Sequence, residues 1–136
     1  MRYTLAMPIL GHGVDLVETR RIARMLDAHG ERFLARCFTG EERAYAEARP
    51  KRRIEHLAGR FAAKEAVLKA LGTGWSGGVA WTEVEVLSPP TEVIAPPRAR
   101  LHGRAAALAH HRGITRWWIS ISHVPAHAIA SAIAER

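Results

Sequence analysis

Between Arg53 and Gly74 the apolar residues Ile54, Leu57, Ala58, Phe61, Ala62 and Leu68 recur at helical spacing. At about 100° per residue they form one stripe, which predicts a long amphipathic helix. Pro50 and the basic turn Lys51-Arg52-Arg53 lead into it, and Gly72 and Gly74 terminate it. The run Ile9 to Val17 is apolar, short and interrupted by glycines, so it predicts a strand. Asp15 alternates onto the face of Ile9, Gly11 and Gly13, where the glycines leave room for another backbone or a ligand beside the acid. Thr19 to His29 predicts a helix that buries Ile22, Met25 and Leu26, turns Arg20, Arg21 and Arg24 outward and ends at Gly30. Asp15, Glu18 and Thr19 are all candidates to cap that helix. Thr39 with Glu42 is a capping box, and it opens a further helix expected to run to about Arg49.

The second half reads as strands. Val79 to Leu87 alternates only partly and predicts a half-exposed strand, followed by a proline-rich irregular connection over Ser88 to Pro97. Arg98 to Leu101 is expected as a short edge strand and Gly103 to Arg112 as an alanine-rich helix stopped by Gly113. Arg116 to Ser122 and Ala126 to Ala134 are joined across only His123-Val124-Pro125, which makes them antiparallel. The last of these is apolar on both faces and so belongs at the centre of its sheet.

Composition narrows the partners. The chain has 136 residues, 48% of them hydrophobic, which suits a single domain spanning 1–136 with a real core. A net charge of +7 points to anionic partners: a phosphorylated small molecule, nucleic acid, an acidic protein or a membrane surface. The lone Cys37 excludes an internal disulfide and a cysteine-rich zinc site. The first ten residues are too weakly patterned for a secretory signal, and no later stretch reads as a membrane span, so the expected compartment is the cytoplasm. The patterned sequence begins just after Met7, which makes Met7 a candidate start.

Two acids stand in apolar settings. Glu65 follows Phe61 by four residues and precedes Leu68 by three, so its carboxylate is expected to point with the stripe. A buried carboxylate needs a cation, a metal or a hydrogen-bond network. Lys69, one turn later, offers the plainest answer, an ordinary helical ion pair. Asp15, Glu65, Lys69 and the downstream His123 also suit a divalent metal with a phosphorylated ligand. Mg²⁺ is the ion of choice, because it takes few carboxylates and completes its shell with water and phosphate oxygens. There is no Walker loop, no G-x-S-x-G elbow and no third glycine after Gly11-His12-Gly13 to make a dinucleotide fingerprint.

The chain resembles the holo-acyl-carrier-protein synthases, the short class of 4′-phosphopantetheinyl transferases. The resemblance rests on G-V-D-L-V-E at 13–18, F-T-G-E-E-R at 38–43, L-A-G-R-F-A-A-K-E-A-V-L-K-A-L-G-T-G at 57–74 and I-S-I-S-H at 119–123, in the family's order. It implies an α+β fold with an antiparallel sheet packed against the long central helix and shorter helices. It implies transfer of the 4′-phosphopantetheine arm of coenzyme A to a serine of an apo acyl carrier protein, with Mg²⁺ held by Asp15 and Glu65. Lys69 corresponds to a lysine on the coenzyme A diphosphate. His123, and with it Arg60 and Gly72 in the matched block, is assigned to cofactor binding. Glu65, Lys69 and Asp15 form the implied catalytic set, with Glu65 as the serine's base. Arg21 and Arg24 lie where the family docks its acidic carrier protein, and the family's homotrimers place each site between subunits. The residues before the first strand and His12 depart from the family pattern, and Ser88 to Pro97 matches nothing in it.

The alternative is a small basic nucleic-acid-binding module, motivated by the charge and by Lys51-Arg52-Arg53. No stacking platform of aromatics supports it, since Trp117 and Trp118 fall inside a strand. A structural subunit that keeps the fold without the activity is a third reading, and the intact Asp15, Glu65 and Lys69 argue against it.

Overall fold

The first strand, β1 (Ile9–Glu18), lies at one edge of a three-stranded antiparallel sheet with β5 (His127–Glu135) in the middle and β4 (Arg116–His123) at the other edge. The computed structural model describes residues 8–90 and 92–136, so Met7 and the residues before it lie outside them. The expected central place of the last strand holds. Its inward residues Ala128, Ala130, Ala132 and Ala134 are buried. Small side chains on that face let a helix lie close against the sheet.

That helix is α4 (Arg53–Leu71), closed by Gly72 in the left-handed conformation at φ 80°. Two glycines fix how β1 meets it. A Cβ on Gly11 would sit inside the carbonyl oxygen of Ala70, and one on Gly13 inside that of Ala66. The backbone that the glycines admit is therefore the helix's own. Arg112 fastens the same seam, donating to the carbonyls of Ala70 at 2.9 Å, Leu71 at 2.8 Å and Leu10 at 2.6 Å. Gly13→Ala is expected to force strand and helix apart and cost roughly 1–3 kcal/mol, read as a lowered denaturation midpoint with an unchanged slope.

α4 is also covered by α1 (Thr19–His29), α3 (Gly40–Glu47) and the small sheet of β2 (Val84–Leu87) and β3 (Arg98–Leu101). Burial therefore departs from the amphipathic stripe. Every residue from Leu57 to Leu68 is buried except Glu65, which is half-buried, and Lys69 is exposed. Glu65 marks the side on which the helix opens, not the middle of its core face.

The structure departs from the sequence pattern at three further points. A seven-residue helix, α2 (Glu31–Cys37), occupies a stretch to which the sequence pattern assigns no element, anchored by buried Phe33, Leu34 and Cys37. The stretch from Val79 is a strand only over β2, after a 3-10 turn at Trp81–Glu83, and Val84, Glu85 and Val86 are buried, not half-exposed. The helix begun by Thr39 stops at Glu47, two residues short. Its capping box is present, with Thr39 N–H donating to Glu42 Oε1 at 2.8 Å. A further helix, α5 (Gly103–His111), matches its expected span closely. Among the described residues no helix is long and apolar enough to cross a membrane.

Candidate functional site

Asp15 leaves β1 on the face turned to α4 and is half-buried. It does not cap α1, whose first residue Thr19 instead donates its hydroxyl to Pro125 O at 2.6 Å. Asp15 meets Lys69, whose Nζ lies 3.1 Å from Oδ1 and 2.8 Å from the carbonyl of Val14. The lysine thus reaches across to the strand, and the acid from one end of the chain joins the helix at this point. Glu65 stands one turn before Lys69 on the same flank, by the spacing of the helix. Gly72, exposed at the end of the helix, turns the chain away just past Lys69.

Arg60 and His123 are brought together elsewhere, in an open cleft of about 320 Å³. Its lining includes Tyr45, Arg49 and His56 together with Pro89, Pro90 and Val93. The proline-rich segment that matches no pattern therefore helps to line a pocket. The Arg60 guanidinium lies 3.9 Å from the centroid of the Tyr45 ring and that of Arg49 lies 3.6 Å from it. Arg60 also donates from Nη2 to the hydroxyl of Ser88, yet its buried Nε finds no partner. Burial pulls its pKa below the usual guanidinium value, with Tyr45 and Glu42 opposing that pull. Desolvation, then the charges of Arg60, His123 and Arg49, lower His56 to about 4, so it is neutral near pH 7. A cationic pocket with a buried, unfilled donor is suited to an anion.

The sheet separates these clusters. Asp15 and Lys69 meet on edge strand β1, whereas His123 lies on the opposite edge strand β4. The helix crosses between them, since Gly59 near its start abuts Ile121 of β4 while Ala66 and Ala70 abut β1.

A third feature flanks α1. Arg21 lines a groove of about 380 Å³ with Met25, Arg32, Phe33 and Arg36, and its guanidinium stands 5.3 Å from the Phe61 ring. Arg24 is exposed on the same helix, outside that lining. Basic side chains over an apolar floor suit an acidic amphipathic partner.

Beside Glu65 lies a residue that the predicted apolar stripe does not include. Lys64 is fully buried, 2.7 Å from Glu42 Oε1, and donates to Trp81 O at 3.0 Å and to Val84 O. Glu42 Oε2 accepts the Val86 N–H at 2.8 Å. Burial lowers the Lys64 pKa and Glu42 holds it up. The capping glutamate of α3 thus doubles as the counter-ion of α4. Tyr45, Arg49 and His56 were equally silent in the sequence, because only their meeting in space makes a pocket.

Residues 11–129 match the family described as the 4′-phosphopantetheinyl transferase superfamily. Holo-[acyl-carrier-protein] synthase of Koribacter versatilis is 43% identical over 127 residues, covering 93% of this chain and 98% of that protein. The crystal structure of the holo-[acyl-carrier-protein] synthase from Neisseria meningitidis superposes with a TM-score of 0.81 at 32% identity, covering 94% of this chain and 99% of that one. The synthase of Bacillus anthracis, solved in complex with CoA (3′,5′-ADP), gives a TM-score of 0.74 at 33% identity over 94% of this chain and 97% of that one. The matched residues 11–129 take in Asp15 and the whole 57–74 block with Glu65 and Lys69, and the chain belongs to the holo-[acyl-carrier-protein] synthases of the 4′-phosphopantetheinyl transferase superfamily.

Proposed function

We propose that the chain acts as one phosphopantetheinyl transferase domain, moving the 4′-phosphopantetheine arm of coenzyme A to a serine of an apo acyl carrier protein for fatty acid or polyketide synthesis. The observation that carries this reading is the meeting of Asp15 with Lys69 on the helix that bears Glu65. Successive contacts Gly11 to Ala70 and Gly13 to Ala66 advance two strand residues, about 6.7 Å, for four helix residues, about 6 Å. Continued by one step, this register brings Asp15 level with Ala62. Helix side chains lean toward the N-terminus, so Glu65 reaches back to the same level.

These two carboxylates suit Mg²⁺. Among the described residues no group of three His, Cys, Asp or Glu side chains could close around a metal, so the ion must complete its shell from water and phosphate. The Lys69 ammonium beside Asp15 supports a cation at this spot. When bound there, Mg²⁺ supplies positive charge to the diphosphate of coenzyme A. Lys69 adds a second cation to the same diphosphate. Glu65 is the carboxylate placed to accept the serine proton. The serine oxygen bonds to the phosphorus next to the pantetheine arm, the bond from that phosphorus to the bridging oxygen breaks, and adenosine 3′,5′-bisphosphate leaves. Positioning and charge neutralisation supply most of the rate.

With the diphosphate at Lys69, the isolated phosphate of coenzyme A falls to Arg60 and His123, and the proline wall offers its flat surface to the base. The clusters lie on opposite edge strands of one chain, so the site is completed between copies. Val14, Leu16, Trp118 and Ile129 are exposed on the sheet face turned from α4, at 42%, 62%, 42% and 43%, which supports a homotrimer joined there. Arg21 and Arg24 then receive the acidic carrier protein. The test is incubation of the chain with coenzyme A, Mg²⁺ and an apo carrier protein, followed by intact mass spectrometry. The expected result is a carrier protein heavier by one phosphopantetheine arm, dependent on Mg²⁺; an unmodified carrier protein across a panel of bacterial carriers would overturn the reading.

A further inference from the structure

Glu55 has no part in the assignments above. It lies in the first turn of α4, its side chain is 16% exposed, and its Oε1 stands 2.8 Å from His123 Nδ1 on β4. A carboxylate only accepts, so this contact places a hydrogen on Nδ1 and turns Nε2 to the other side of the ring. None of the residues lining the cleft is acidic, although His123, His56, Arg49 and Arg60 all are among them. Glu55 therefore stands behind the histidine, out of an anion's way. The His56 ring meets His123 edge-on, 5.0 Å between centroids at 73°, and supports it from a second direction without adding charge.

We propose that Glu55 is a positioning residue that holds the His123 imidazole with Nδ1 toward the protein and Nε2 toward a phosphate of coenzyme A. This rests on reading the cleft as the phosphate end of the cofactor site. Carboxylate, imidazole and phosphate then form a chain in which the ring stands between two anionic groups, with one nitrogen turned to each. Removing the carboxylate frees the ring to turn, so Nε2 is no longer held toward the phosphate. The phosphate belongs to the part of coenzyme A that is bound before and after transfer, so the loss falls on affinity and not on the chemical step.

The test measures kcat and KM with coenzyme A, and with dephospho-coenzyme A as a donor that lacks the isolated phosphate. Glu55→Gln is expected to raise KM for coenzyme A about tenfold with kcat nearly unchanged, and to leave KM for dephospho-coenzyme A unaltered. In a His123→Ala background the same change should add nothing, and Glu55→Asp should recover part of the loss. A full Glu55→Gln effect persisting without His123, or a fall in kcat at constant KM, would overturn the proposal. If Arg60→Ala and His123→Ala leave KM for coenzyme A unchanged, the reading of the cleft itself fails. If they raise it while Glu55→Gln does not, only the role of Glu55 fails.

Discussion

Asp15→Ala is expected to lower the rate of arm transfer by about 10²–10³-fold, with the folded state retained. Asp15 is half-buried beside Lys69 and Val14, in a position where its charge serves two cations in turn: the ammonium of Lys69 and, with substrate, Mg²⁺. Deleting it removes an oxygen ligand and leaves Lys69 without its acid. Because Lys69 is itself exposed, water takes over the ammonium and the fold loses little. Asp15→Asn separates charge from shape. It should be nearly as inactive as the alanine variant, measured as initial rate at saturating coenzyme A, since an amide oxygen is a poor ligand for a hard cation.

Lys64→Met should produce the largest change in stability. Both Lys64 and Glu42 have side chains with no exposure, and together they tie α4 to α3, to the turn at Trp81 and to β2. Removing the lysine strands the Glu42 carboxylate in the core, at a cost of about 3–5 kcal/mol, against a total of roughly 5–15 kcal/mol for an ordinary domain. Urea denaturation checks the size. The double change Lys64→Met with Glu42→Gln should recover part of the loss, because no unpaired charge then remains, although the Thr39 and Val86 amides still need the acceptor that Gln supplies at one oxygen only. Full additivity of the two single changes would contradict the pairing.

What was legible in the sequence, and what was not, follows from range. Elements with local signals were legible almost to the residue: Thr19–His29, the Thr39 capping box and Arg98–Leu101 need only caps, breakers and alternation. α2 was missed because its helical pattern is seven residues long and its anchoring comes from contacts outside itself. The stripe on α4 put Glu65 at the core because periodicity assumes one buried side, whereas this helix is enclosed on nearly all of them. The glycines beside Asp15 correctly signalled a close approach. Lys64 could have been suspected, since a lysine within F-A-A-K-E-A has apolar neighbours a turn away on either side, but its partner Glu42 already had a sufficient role as a cap. The cleft was beyond local reading altogether. Tyr45, His56, Ser88 and His123 come from four separate segments, and the family resemblance marked only the last of them together with Arg60.

In the proposed reaction an acid from the first strand and an acid from the long helix hold one divalent ion against the diphosphate of coenzyme A. Electron paramagnetic resonance of Mn²⁺, titrated in place of Mg²⁺ into the chain with coenzyme A present, measures this directly. One tightly held ion per chain is expected, lost in Asp15→Ala and lost separately in Glu65→Ala, and retained in His123→Ala. Unchanged Mn²⁺ affinity in either acid variant would contradict it.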